Sequence, residues 1–391
     1  MSKFLRRSLA ALEAYVPGEQ PQDRKYIKLN TNESPYPPPQ SVAAVLNAEE
    51  SAKLRLYSDP ESRVLKERLA RNYGRAQAEV FVSNGSDEIL NFAFMAYGEQ
   101  GVRFADITYG FYSVFANLYG LDAEVIPLRE DFSLDAEAFC GKDGLTVITN
   151  PNAPTGMALP LAIIEEIVSS SRGVVLVDEA YVDFGAESAV NLIDRYDNLL
   201  VVQTFSKSRS MAGARLGFAF GNAALIADLE RIKYATNPYN INRLTQAAGA
   251  QALEEDDYFR ANCRRIIETR NYVSAELQKR GFTVTASQAN FLFAKSDRID
   301  GETLYRRLRE KGVLIRHFTK ERIKDYNRIT IGSREEMEIF LQKTDEILEE
   351  LTGERALSTA KQTRPISGSS WSWTAAARAA STPAAVFWIT C

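Results

Sequence analysis

Short apolar or β-branched runs alternate with helical periods from about residue 40 to 245. The runs are Val80 to Val82, Thr146 to Thr149, Val174 to Val177, Leu199 to Gln203 and Leu216 to Phe220. Runs this short without polar alternation predict strands buried on both faces. Their alternation with helices predicts an α/β fold with a mainly parallel sheet between helical layers. Around 245–275 the period is long, helical and charged. Beyond it FTVTAS, ANFLFAK, VLIRHF and RITIGS read as strands. With a helix over Thr303 to Lys311 and a last helix over Arg334 to Leu351, they predict a smaller α+β unit. Residues 1–30 read as a helical arm with a short extended piece, Tyr26 to Leu29, and Asn32 to Pro39 as a turn-rich linker. The expected organisation is an arm and linker (1–39), a large domain (40–245), a small domain (246–353) and a tail (354–391).

Composition narrows the function. The chain has 391 residues, 45% of them hydrophobic, enough for one large or two ordinary domains. No apolar run approaches the roughly 18 residues that a membrane helix needs. MSKFLRRSLAALEAYVPGEQ lacks the apolar core of a signal peptide. Three cysteines, Cys140, Cys263 and Cys391, fit a reducing cytosol rather than a disulfide framework. His317 is the only histidine, which argues against a Ser-His-Asp triad or a His-based metal site. A net charge of −4 argues against general nucleic-acid binding.

The chemistry concentrates in FSKSRSMAGARLGF, Phe205 to Phe218. Small neighbours let a planar group lie against the backbone. Lys207 can condense with an aldehyde, and Ser206 and Arg215 can reach a phosphate, a combination suited to pyridoxal phosphate (PLP). A basic surface loop has the same composition. Asp178 ends an apolar run, where doubly wound sheets bind ligands; it either caps a turn or pairs with a protonated ring nitrogen. Tyr181, three residues on, and Asn152 in the turn NPNAPTG can each hydrogen-bond a phenolic oxygen. Gly85, Ser86 and Asp87 stand at a helix start, which either is an ordinary cap or holds a phosphate. Tyr109 is either a core aromatic or a ring that stacks on a pyridine. Arg316 and Arg328 adjoin strand-like runs and either clamp an anion or guard a sheet edge.

In order, LNTNESPYPPP, LYSDP, SNGSDE, TYGFYSVFA, NPNAPTG, VDEAYVDF, TFSKSRSMAGARLGF and NRITIGSREE resemble the fold-type I PLP enzymes, and most closely the histidinol-phosphate aminotransferase family. The resemblance covers about residues 15 to 350. It implies a large domain with a seven-stranded, mainly parallel sheet. Lys207 would form the Schiff base and shuttle the proton. Asp178 would pair with the ring nitrogen, Asn152 and Tyr181 would hold the phenolic oxygen, and Tyr109 would stack on the ring. Ser86, Asp87, Ser206 and Arg215 would hold the phosphate, joined by Tyr57 of a neighbouring subunit in a homodimer. Arg328 would bind the substrate carboxylate or its counterpart, Arg316 would lie towards the substrate side chain or phosphate, and Tyr15 would close over it. Ala153 departs from relatives that carry a second asparagine there. The implied reaction moves an amino group between L-histidinol phosphate and 2-oxoglutarate, in the cytosol, with no metal. Aromatic amino-acid aminotransferases and threonine-phosphate decarboxylases share these cofactor motifs. A non-enzymatic PLP-binding regulator would need an added DNA-binding module, for which residues 1–40 are too short.

After Gly353, read as the stop of the last helix, composition breaks. Residues 355–391 hold no acidic residue and all three tryptophans, Trp371, Trp373 and Trp388. Such a tail reads as disordered. It also reads in a second way, with the last base of each codon joined to the first two of the next. Trp373 before Thr374 then gives an aspartate, Phe387 before Trp388 a leucine and Trp388 before Ile389 another aspartate. The shifted string resembles the start of imidazoleglycerol-phosphate dehydratase, as a frame shift between two reading frames would produce.

Overall fold

The computed structural model describes residues 2–6, 9, 10 and 12–362, with side chains as far as residue 353. Its strands are β1 (Ile27–Lys28), β2 (Val80–Ser83), β3 (Val102–Ala105), β4 (Ala123–Ile126), β5 (Leu145–Thr149), β6 (Val175–Asp178), β7 (Leu199–Thr204), β8 (Gly217–Gly221), β9 (Phe282–Val284), β10 (Phe291–Ser296), β11 (Val313–Leu314), β12 (Arg316–His317) and β13 (Asn327–Thr330). Seven of them form one sheet in the order β2-β8-β7-β6-β5-β3-β4. Neighbours from β4 to β7 pair in parallel, and only β8 runs against its partners β2 and β7.

Side chains alternate across this sheet, so both faces are apolar. Val175 and Val177 of β6 join one core, with Ile148, Val201 and Phe218. Leu176 between them joins the other, with Phe81, Val147 and Leu200. The parallel register sets Thr149 beside Asp178 and Asp178 beside Val202. Thr204 in turn faces Gly217, and Gly217 faces Ser83. One edge of the sheet therefore gathers the ends of β2, β5, β6 and β7 and the start of β8.

A four-stranded antiparallel sheet has the order β12-β13-β10-β9. The VLIRHF run does not stay one strand. β11 pairs in parallel with β1 of the arm, while β12 pairs with β13 and places Arg316 opposite Arg328.

Several expectations are corrected. No α-helix precedes Gln40 among the described residues. Phe4, Leu5, Leu12 and Val16 of the arm stay exposed, so its apolar side chains supply no packing to hold a helix. A short isolated helix is marginal without such packing. The 245–275 period is two helices, Arg243–Ala252 and Asp256–Lys279. The last helix runs Arg334–Gln362, through Gly353 rather than ending before it. One glycine in a helix interior costs only about 1 kcal/mol against alanine. Residues to Leu348 form one compact unit and those from Glu349 a second, of which the described part is helix. The frame-shift reading starts at Ser358; its residues as far as Gln362 continue the last helix, and those from 363 on lie outside the described residues.

Candidate active site

The segments that leave the sheet edge carry most of the residues singled out from sequence. β6 ends on Asp178, 4% exposed. Its Oδ2 accepts from the Tyr112 hydroxyl at 2.7 Å, and its Oδ1 from the Ala180 amide at 3.2 Å. Burial pushes this carboxyl up to about 6, against the pull of those two donors. Three residues on, the Tyr181 hydroxyl accepts from Asn32 Nδ2 at 2.9 Å. Lys207 lies close by. Its Nζ is 5.9 Å from the centre of the Tyr181 ring and donates to the Thr31 carbonyl at 3.1 Å. Burial, and after it the Arg328 guanidinium, push the Lys207 amine down to about 8. An amine so tuned is partly neutral near physiological pH, the state needed to attack a carbonyl or take a proton.

The second group surrounds the start of the Ser86–Tyr97 helix. Glu88, in its first turn, reaches back to the Asn84 amide at 2.9 Å and fixes the turn. Gly85 has φ 83° and ψ 161°, a region essentially reserved for glycine. A Cβ there would lie 2.6 Å from Arg215 Nη2. Gly217 is equally constrained, since its Cβ would meet the Ser86 nitrogen at 2.4 Å. Arg215 itself adopts φ 54° and pairs with Asp87 Oδ2 at 3.1 Å. The Tyr109 hydroxyl donates to the other Asp87 oxygen at 2.9 Å. A guanidinium held against a helix N-terminus over a bare glycine is a cradle for a dianion. Ser206 is buried beside it, its Oγ accepting from Thr204 Oγ1 at 3.0 Å. These groups fit PLP: an amine, a ring-nitrogen partner, a phenolic donor and a phosphate cradle.

Asn152 is less free than its sequence suggested. Its Nδ2 donates to the Ile107 carbonyl and the Thr155 hydroxyl, both at 3.0 Å, so a further donation requires giving one up. Tyr57 lies on the surface. It is 78% exposed, stacks on Tyr239 at 4.4 Å and accepts at its carbonyl from Arg243 at 2.8 Å.

The third group joins the arm to the small sheet. Arg328 donates through Nη2 to the Asn30 carbonyl at 3.1 Å. Its buried Nε has no partner among the described residues, and burial holds its pKa below the usual arginine value. Arg316 donates to the carbonyls of Pro17 at 3.3 Å and Val16 at 3.1 Å. Tyr15 stacks on Phe111 at 4.4 Å and presents an edge to Tyr109 at 5.9 Å. Both arginines lie close enough to oppose the rise that burial gives its hydroxyl pKa.

Sequence reasoning missed three residues. Tyr112 binds Asp178, Thr149 binds Tyr112 at 2.7 Å, and Asn32 ties Tyr181 to β13 through Thr330 Oγ1, which donates to its Oδ1 at 2.9 Å. Tyr112 follows Tyr109 by three positions in TYGFYS, a signal hidden by the aromatic character of the whole segment. Asn32 opens the NESPYPPP run and carries a left-handed φ of 56°.

Fold and site together define an aminotransferase. The family described as Aminotransferase class I and II matches residues 24–343, and the chain belongs to it. The family is PLP-dependent. Histidinol-phosphate aminotransferase of Clostridium botulinum (strain Langeland) is 48% identical over 355 residues, which are 90% of this chain and all of that protein. The protein of that name from Clostridium acetobutylicum is 48% identical over 351 residues, 89% of this chain and all of that one. In fold, the chain resembles the crystal structure of histidinol-phosphate aminotransferase from Sinorhizobium meliloti in complex with pyridoxal-5'-phosphate. The TM-score is 0.79 at 22% identity, over 90% of this chain and 99% of that one. Among the described residues no helix is long and apolar enough to cross a membrane, and no cluster of side chains suits a metal ion.

Proposed function

We propose that this aminotransferase binds PLP at the sheet edge and moves an amino group between L-histidinol phosphate and 2-oxoglutarate. The observation that carries the substrate is the pair of arginines set opposite each other on β12 and β13. Both proposed substrates are anions, one with a phosphate and one with carboxylates. A neutral aromatic side chain would leave the second guanidinium without an anionic partner. The orphaned Nε of Arg328 favours a planar, two-pronged acceptor such as a carboxylate. Arg316 is then the contact for the substrate's far anionic end, and Tyr15 closes beside both.

Bound PLP supplies the electron sink that makes a Cα proton removable. The chain supplies the rest. Lys207 would remove that proton and return it to the carbon next to the cofactor ring. Asp178 keeps the ring nitrogen charged, and Tyr181 and Asn152 hold the phenolic oxygen. Arg215, Ser206 and the backbone amides of Ser86 and Asp87 would hold the phosphate, with the Asp87 carboxylate bracing Arg215, and Tyr109 would fix the plane of the ring. We further assign a homodimer working in the cytosol, in which Tyr57 serves the neighbouring phosphate. Mixing Tyr57→Phe with Lys207→Ala chains tests this assignment. If Tyr57 crosses the interface, each heterodimer keeps one fully native site; if it acts within its own chain, none does, and PLP retention stays weak throughout.

An amino-donor panel of histidinol phosphate, phenylalanine and phosphothreonine tests the substrate, with histidinol phosphate expected to lead. Preference for phenylalanine would make the chain an aromatic aminotransferase. Release of carbon dioxide from phosphothreonine would make it a decarboxylase.

A further inference from the structure

Tyr112 is fully buried. Its hydroxyl lies 2.7 Å from Asp178 Oδ2 and 2.7 Å from Thr149 Oγ1, and Thr149 Oγ1 lies 2.9 Å from Thr108 Oγ1. One phenolic proton cannot serve two acceptors. When Asp178 is ionised, Tyr112 donates to it, Thr149 donates to Tyr112 and Thr108 donates to Thr149. The row of hydroxyls then points its protons at one carboxylate oxygen, which strengthens each bond in the row. The other oxygen keeps only the longer bond from Ala180, at 3.2 Å, and so retains acceptor capacity. The ring of Tyr112 is held against Phe94 and Phe104 at 6.2 and 5.8 Å, and it meets Tyr109 at 5.8 Å and 85°.

We propose that Tyr112 is a positioning residue for the reaction: its hydroxyl orients and stabilises the Asp178 carboxylate for the cofactor's ring nitrogen, while its ring props Tyr109 in the stacking plane. The inference rests on the PLP reading above. One side chain thus sets the nitrogen partner and the ring plane together, so neither can drift without the other.

The test compares wild-type holoenzyme with Tyr112→Phe, Thr149→Val and Tyr112→Leu. The readouts are PLP affinity by equilibrium dialysis, the pH midpoint of the cofactor's visible band, melting temperature, and kcat and KM. Tyr112→Phe keeps the prop and loses a bond to a charged group, so PLP affinity should fall about tenfold or more. With its donor gone, Asp178 becomes more basic and draws the ring proton towards itself. The ring becomes less positive, the band midpoint moves up, and kcat falls while KM holds. Thr149→Val should shift the band the same way by less. Tyr112→Leu should add a further loss through Tyr109. An unchanged band and PLP affinity in Tyr112→Phe overturns the proposal, as does lost activity that follows melting temperature alone. If Tyr112→Phe does not fold, an unmoved band in Thr149→Val overturns it. A wild-type protein that takes up no PLP overturns both readings; one that takes it up while Tyr112→Phe matches it overturns only this one.

Discussion

The sheet edge and the arm side hold their charged groups in different ways. At the edge, the groups around the phosphate cradle and the ring-nitrogen partner meet side chains: Asp178 has Tyr112, Arg215 has Asp87, and Asp87 has Tyr109, while Lys207 rests on a carbonyl, that of Thr31. On the arm side Arg316 and Arg328 donate to main-chain carbonyls of Val16, Pro17 and Asn30. A carbonyl is a neutral acceptor, so an incoming anion outcompetes it at little cost. The first arrangement suits a group that stays, and the second suits ligands that exchange. A resident cofactor and a transient substrate require this division.

The largest effect breaks the edge. Lys207→Ala should abolish turnover and any borohydride-trappable PLP adduct while leaving the melting temperature near wild type. A trapped adduct on another lysine would move the site elsewhere. Next, Arg328→Lys tests the arm side alone. Losing the fork should cost about 1.5–3 kcal/mol in kcat/KM for 2-oxoglutarate, roughly 10- to 150-fold. Equilibrium dialysis should find PLP affinity unchanged; an equal fall in both would mean that the two regions are not separate.

The smallest effect measures their cross-talk. Capture of PLP by the apoprotein needs the neutral amine, so its rate should rise with pH through about 8 and level off above. Burial is the larger cause of that lowered value and Arg328 the second. Arg328→Gln should therefore move the midpoint up only part of the way to the ordinary 10.5. A midpoint already near 10.5 in the wild type would show that the amine is not held in an apolar setting.

What the sequence made legible follows the same division. The runs that became β5, β6, β7 and β8 are buried at every position, so composition alone marks them. β4 was invisible because it is an edge strand, with its first three residues exposed. β3 was masked by Arg103, buried in the strand and bonded to Glu124 and Thr146. The edge residues Lys207, Asp178, Tyr181 and Arg215 sit in compact local motifs whose loops the sheet positions. The arm misled for the opposite reason. Its conformation comes from partners far along the chain, and a window of nearby residues contains none of them.

That distance has a consequence during synthesis. The Asn32 amide donates to Thr330 Oγ1, and the two residues are 298 positions apart. At about 5–20 residues per second, a ribosome takes roughly 15 to 60 s to cover that span. Throughout that interval residues 27–33 have neither β11 nor β13 to pair with, although the sheet edge can already be in place. The first strand of the protein is thus among the last to dock. Limited proteolysis of stalled nascent chains should find the arm cleavable until residue 330 has emerged; early protection would mean that another partner holds it.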